Sequence, residues 1–136
     1  MGNIPKIKIS PNIDKIFILT GENIFKKKST KLLIKSSFFR KDIKIYKKKN
    51  FLPDILELNK IVKEIKSYKP DLLVAIGGGG VIDYLKIANS VIHLTNIKDI
   101  FFLKKNRFKK YKKLIVIPTT AGSGAEVTPG VVLYKN

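Results

Sequence analysis

The sequence predicts an α/β domain built on a parallel sheet, and three observations carry that reading. Short apolar runs of strand character alternate with longer segments whose apolar residues recur every three or four positions. The third apolar run opens at once into four consecutive glycines, and the fourth into a second loop rich in glycine, threonine and serine. The 136 residues suit one domain with a core of its own, and 44% hydrophobic with 28% charged residues lies in the range of folded chains rather than disordered ones.

Taken in order, residues 1–14 read as an N-terminal extension and 15–136 as the domain. Lys15 to Leu19, KIFIL, is a short apolar run between Asp14 and Thr20-Gly21, which predicts a buried strand. Glu22 to about Phe39 is lysine-rich, with Ile24, Phe25, Leu32, Leu33 and Phe38 as its apolar members, and reads as a helix in two pieces around Ser29-Thr30. Asp42 to Tyr46, DIKIY, alternates and predicts a second strand. Pro53 suits a first helical turn, Ile55, Leu58, Ile61, Val62 and Ile65 follow at helical spacing, and Pro70 ends the helix.

Leu72 to Ile76, LLVAI, is continuous in the manner of a strand covered on both faces. Helical spacing resumes from Val81 to about Leu94 through Ile82, Leu85, Ile87 or Ala88, and Ile92. Phe101 to Lys113 reads as a surface connection with room for a short strand at its start. Leu114 to Ile117, LIVI, is the fourth buried strand, Pro118 to Pro129 the second small-residue loop, and Val131 to Tyr134 a further short strand. Strands and helices in this alternation imply crossover connections, hence parallel neighbours with helices on both faces.

The charge balance is extreme, with 28 lysines and arginines against 10 acids. Nearly all the cations are lysines, Arg40 and Arg107 being the arginines, and lysine lacks the planar fork that reads bases and grips phosphates in pairs. Lysine, isoleucine and asparagine are abundant together, as an AT-rich genome favours, so drift in composition is preferred over a dedicated polyanion site. The competing reading is a non-catalytic basic module for single-stranded nucleic acid, carried by FFLKKNRFKKYKK at Phe101 to Lys113, where aromatics lie among lysines. A solvated connection is preferred there too.

The chain has no cysteine, which excludes disulfides, thiolate metal sites and a cysteine nucleophile, and suits a cytoplasmic setting. Lys6 occupies the place where a myristoylation pattern wants Ser or Thr. No apolar run approaches the roughly 20 residues that cross a bilayer, so no membrane role is expected.

The two loops carry the chemistry. Gly77 to Gly80 leave the carboxyl end of the third strand and enter a helix, where an open parallel sheet binds its ligands and where unpaired N–H groups and the helix dipole favour an anion. Glycines there let a phosphate approach the backbone. The alternative is a tight turn with no ligand. The pattern is neither G-x-G-x-x-G on a first strand nor a P-loop, since no Gly-Lys-Ser/Thr follows the glycines. The second loop, Pro118-Thr119-Thr120-Ala121-Gly122-Ser123-Gly124-Ala125-Glu126-Val127-Thr128, offers hydroxyls and bare amides, which suit phosphate, ribose and carboxamide groups.

Together the two loops resemble those of the iron-containing (group III) alcohol dehydrogenase family. That family carries G-G-G-S-x-x-D-x-x-K and then P-T-T-A-G-[TS]-G-[SA]-E-V-T, matched in order by Gly77 to Lys86 and by Pro118 to Thr128. The resemblance implies a Rossmann-like dinucleotide-binding domain of the dehydroquinate synthase-like kind, and hydride transfer between NAD or NADP and a small alcohol or aldehyde. In the family a helical C-terminal domain holds a divalent metal, iron or zinc, through an aspartate and three histidines. Carried over by position, Gly77, Gly78, Gly79 and Gly80 line the pyrophosphate, and Thr119, Thr120 and Ser123 the phosphate, ribose or nicotinamide. Asp83 falls where the family's aspartate faces the cleft, or else it merely favours the helix dipole. A homodimer is compatible with this reading.

The chain departs from the family pattern at three points. Gly80 stands where the family usually has Ser, which removes one hydroxyl. Thr20-Gly21 stands where NAD-using members often carry an acid toward the adenosine ribose; Gly21 thus favours NADP, with Glu22 nearby as a counterweight. The chain ends at Asn136, just past the second motif, and His93 is its only histidine. The expectation is therefore a truncated family member, a fragment or half of a split enzyme. The helical metal-binding domain would be absent, with no catalytic or metal-ligating residue in this chain and no turnover by it alone. Within the family, Thr20-Gly21-Glu22-Asn23-Ile24-Phe25 resembles the T-G-x-x-x-F variants of phosphonate-pathway reductases, which adds phosphonoacetaldehyde as a candidate substrate.

Overall fold

The computed structural model describes residues 7–49, 54–96, 99, 112–119 and 132–134. The described elements run β1 (Lys15–Gly21), α1 (Glu22–Phe25), α2 (Lys28–Ser37), β2 (Asp42–Lys48), α3 (Ile55–Tyr68), β3 (Leu72–Gly77), α4 (Gly79–Val91), β4 (Lys113–Pro118) and β5 (Val132–Tyr134). They form a five-stranded sheet in the order β2-β1-β3-β4-β5. The first four strands pair in parallel. The short β5 pairs antiparallel with β4, so the expectation of parallel neighbours holds for β1 to β4 and fails at that edge.

Apolar side chains of each central strand divide between two cores. Phe17, Leu19, Leu73, Ala75, Leu114 and Val116 face α3 and α4, packing on Leu58, Ile61, Ile65, Leu85 and Ala88. Ile16, Ile18, Leu72, Val74, Ile76, Ile115 and Ile117 face α2, packing on Leu33, Ile34 and Phe38. This is why β1, β3 and β4 read as unbroken apolar runs. The chain first steps from β1 outward to β2, then crosses back over β1 to β3, and the reversal puts α2 on one face and α3 and α4 on the other. Residues 7–14 share the second core: Ile13 is buried, and the Ile7 amide donates to Ser37 Oγ at 3.1 Å.

Several boundaries differ from the sequence reading. The first helical stretch breaks at Lys26-Lys27, not at Ser29-Thr30; Lys27 is extended (ψ 137°), which lets both Phe25 and the Leu33-Ile34 pair reach the sheet. α3 starts at Ile55 behind Asp54, whose carboxylate accepts from the Leu56 amide at 2.9 Å, while Pro53 lies outside the described residues. Its C-cap, Lys69, is left-handed (φ 54°), just ahead of Pro70. α4 starts at Gly79 rather than Val81 and ends at Val91 rather than Leu94, because packing of Val81, Tyr84, Leu85 and Ala88 drives the helix back into the glycines. Ala88 is the core residue and Ile87 is 39% exposed. Phe101 to Tyr111 lie outside the described residues.

Candidate functional site

The carboxyl ends of the strands form one rim. Register pairs Gly21 with Lys48, Thr20 with Ile76, and Gly77 with Pro118, so Gly21, Gly77 and Pro118 stand at one level on three adjacent strands. The change of direction between β1 and β3 makes their ends the switch point of the sheet, where such folds take their ligands. The amide of Thr119 donates to Gly77 O at 3.0 Å, tying the start of the second loop to the start of the first. Thr120 and Ser123 lie outside the described residues.

The four glycines divide into two kinds. Gly77 is glycine for the protein's own sake: its φ is +156°, and a Cβ there would lie 3.0 Å from Val81 Cγ2. Gly78, Gly79 and Gly80 are exposed, and a Cβ built on any of them meets nothing within 4 Å. No described part of the chain requires them to be glycine. Gly21, half-buried, likewise has ordinary φ (−81°) and open space at its Cβ. The bare backbone at Gly21 and Gly78–Gly80 is what close approach of a ligand along the rim needs.

The two helices that meet the rim from one face have contrasting N-termini. α3 is capped by its own carboxylate, Asp54, whereas α4 has Gly78 as N-cap with no side chain to accept. The first intrahelical bond of α4 runs from Ile82 N to Gly78 O at 3.1 Å. The amides of Gly79, Gly80 and Val81 therefore lack intrahelical acceptors and point along the positive end of a 13-residue helix. Asp83 is exposed and lies beyond the first turn, which holds no acid. Its helical spacing puts it on the side of Gly79 and Gly80.

Beneath the loop sits a polar junction that the sequence reading missed. The Asp54 amide donates to Tyr84 Oη, which in turn lies 3.3 Å from Asp54 O as a donor, so α4 is fastened to the start of α3. Lys48, 8% exposed, places its Nζ 4.9 Å from the centroid of the Tyr84 ring. Burial pushes the Tyr84 hydroxyl above its ordinary pKa; the Asp54 amide pulls the other way, and the Glu57 and Asp54 carboxylates add to the rise. Glu57 is 6% exposed and its Oε1 is buried without a hydrogen bond. Extending the alternation of DIKIY by two residues would have put Lys48 on the face of Tyr46 and exposed this junction in the sequence.

An open, mostly parallel sheet with an uncapped glycine helix at its switch point defines a Rossmann-like α/β domain. A family model of iron-containing alcohol dehydrogenases matches residues 4–136. The chain belongs to that family. The alcohol dehydrogenase of Thermococcus barophilus is 35% identical over 92 residues, covering 61% of this chain and 24% of that one. Among solved structures, the iron-containing alcohol dehydrogenase of Thermotoga maritima superposes with a TM-score of 0.64 at 24% identity, over 85% of this chain and 33% of that one. Sulfoacetaldehyde reductase of Bifidobacterium kashiwanohense, solved in complex with NAD+, gives 0.65 at 23%, over 81% and 29%. These likenesses show the fold. The chain spans only 10% of the Streptococcus pneumoniae aldehyde-alcohol dehydrogenase it matches at 34% identity.

Proposed function

We infer that this chain carries the NAD(P)-binding domain of a metal-assisted alcohol dehydrogenase that acts in the cytoplasm on a small alcohol or aldehyde. The observation that carries this reading is the open backbone of Gly78–Gly80 at the uncapped start of α4. Phosphate oxygens accept from the Gly79, Gly80 and Val81 amides, and the helix dipole stabilises their charge. Gly77 turns the chain sharply enough to aim those amides at the rim, and Thr119 starts the second loop on the adjoining side; by family resemblance Thr120 and Ser123 serve the phosphate, ribose or nicotinamide. When bound, the nicotinamide supplies or takes up the hydride. Family resemblance, the NAD+ complex of a structural neighbour and the match over residues 4–136 support the reading.

Among the described residues no three His, Cys, Asp or Glu side chains come together, and His93 is exposed on the turn after α4 rather than on the helix. The role proposed for the described residues is to bind and orient the dinucleotide. No helix among the described residues is long and apolar enough to cross a membrane. Thermal denaturation with NADH and NADPH tests the reading directly: cofactor should raise the Tm, and a folded chain whose Tm is unmoved at millimolar cofactor refutes it.

A further inference from the structure

We propose that Tyr84 is a positioning residue for the glycine loop: its hydroxyl takes the Asp54 amide in competition with Glu57, and so fixes the tilt at which α4 presents its first amides. The proposal rests on the dinucleotide reading above and deepens it. The loop has little to fix its own direction. Gly79 and Gly80 carry no side chain, and Val81, the first residue of α4 to pack in the core, makes apolar contacts, which are non-directional. Tyr84 follows Gly79 by about one and a half helical turns. It is 4% exposed, and helical side chains lean toward the N-terminus, so its hydroxyl holds α4 close to the first turn.

The hold is made where α3 carries an acceptor of its own. Asp54 is the N-cap of α3 and Glu57 the third residue of that helix, the spacing of a capping box. The Asp54 side chain fulfils its part, accepting from the Leu56 amide at 2.9 Å. In the reciprocal bond of such a box the Glu57 carboxylate would accept from the Asp54 amide. That amide donates to Tyr84 Oη instead, and Glu57, 6% exposed, keeps its Oε1 buried without a hydrogen bond. Burial raises the Tyr46 and Tyr84 hydroxyls above their ordinary values, and the nearby Glu57 charge adds to both. One donor thus faces two acceptors, and it goes to the one on the neighbouring helix.

A buried oxygen left without a donor is destabilising, so capping of α3 alone would place the amide with Glu57. The bond between helices supplies a directional tie in exchange. Tyr84 Oη also donates to Asp54 O at 3.3 Å, the carbonyl that accepts from the Leu58 amide at 2.9 Å in the first turn of α3. Lys48, from the end of β2, lies over the Tyr84 ring, so the ring is held from the sheet while the hydroxyl is held from α3. Hydrogen bonds weaken steeply as they lose alignment. Fixing α4 is therefore what keeps the Gly79, Gly80 and Val81 amides convergent on one phosphate.

Tyr84→Phe tests the proposal, since it keeps the ring and deletes the hydroxyl. Glu57 should then take the Asp54 amide and complete the capping box, so the Tm should stay near that of the wild type. Affinity of the 136-residue chain for NADH and NADPH, measured by calorimetry, should nevertheless fall roughly three- to tenfold, the contribution of about one hydrogen bond. In a Glu57→Met background the same substitution leaves the amide with neither acceptor, and the Tm should fall by several degrees. A tyrosine that only stabilised the fold would lower the Tm alike in both backgrounds. Equal Tm losses, or a Tyr84→Phe chain that fails to fold, therefore overturn the competition with Glu57. Unchanged cofactor affinity in a folded Tyr84→Phe chain overturns the positioning role and leaves the cradle standing. A wild-type chain that binds neither cofactor overturns the cradle, and the positioning role with it.

Discussion

Replacing the glycines one at a time should separate those the fold requires from those a ligand requires. Gly77→Ala forces a side chain into φ +156° and places its Cβ 3.0 Å from Val81 Cγ2 and 3.1 Å from Val81 Cβ. Sparsely populated backbone of this kind costs about 1–3 kcal/mol, and displacement of Val81, 8% exposed in the core, adds to it, so a loss of about 2 kcal/mol or more is expected. Gly79→Ala meets nothing within 4 Å and stands at the first residue of α4. Alanine replaces glycine in a helix interior with a gain of about 0.5–1 kcal/mol, and at the first position the change should be about half a kilocalorie at most, toward stability. Its methyl group nonetheless occupies the space over the backbone where a pyrophosphate would lie, so NADPH affinity should fall at least about tenfold, close to 1.4 kcal/mol. Urea denaturation gives the first quantity, and the cofactor-induced shift in Tm or calorimetry the second. If Gly79→Ala costs as much stability as Gly77→Ala, the division into two kinds of glycine is wrong. If it binds NADPH as the wild type does, the loop is not the cradle.

Three further outcomes follow from the packing. Asp71 Oδ2 accepts from the amides of Lys15 and Asp14, both at 3.0 Å, and these bonds hold its carboxyl below the ordinary value. A depressed carboxylate stabilises above its unfolded pKa of about 3.9 and loses that contribution as pH falls through the folded value. Asp71→Asn should therefore cost up to about 1 kcal/mol at pH 7, limited by solvent screening, and denaturation curves of variant and wild type should converge below about pH 4. Asn89, 1% exposed, accepts from Lys112 N at 2.9 Å and donates to Lys112 O at 3.0 Å, holding the approach to β4. Asn89→Ala should cost about 2 kcal/mol by urea titration, from two lost hydrogen bonds. Asp54→Ala removes the N-cap of α3 and should cost about 1 kcal/mol, read the same way; an unchanged midpoint would mean that the cap contributes nothing.

The sequence by itself determined what depends on local pattern. Unbroken runs such as LLVAI can be satisfied only where both faces are covered, and their alternation with helical spacing leaves parallel pairing as the solution. That is why β1 to β4 and α3 were legible, and why the family could be read from two glycine-bearing motifs on the third and fourth strands. The tertiary structure decided what depends on neighbours distant in the chain. Gly77 and Gly79 are the same residue in the same run, yet one is fixed by Val81 and a strained φ and the other faces open space, a difference that exists only once α4 is packed on β3. The antiparallel pairing of β5, the choice of Ala88 over Ile87 for the core, and the meeting of the Asp54 amide with Tyr84 are likewise set by which surfaces come together. Local propensity fixes which segments become strands and helices, while burial and charge act through space between residues that the sequence keeps apart.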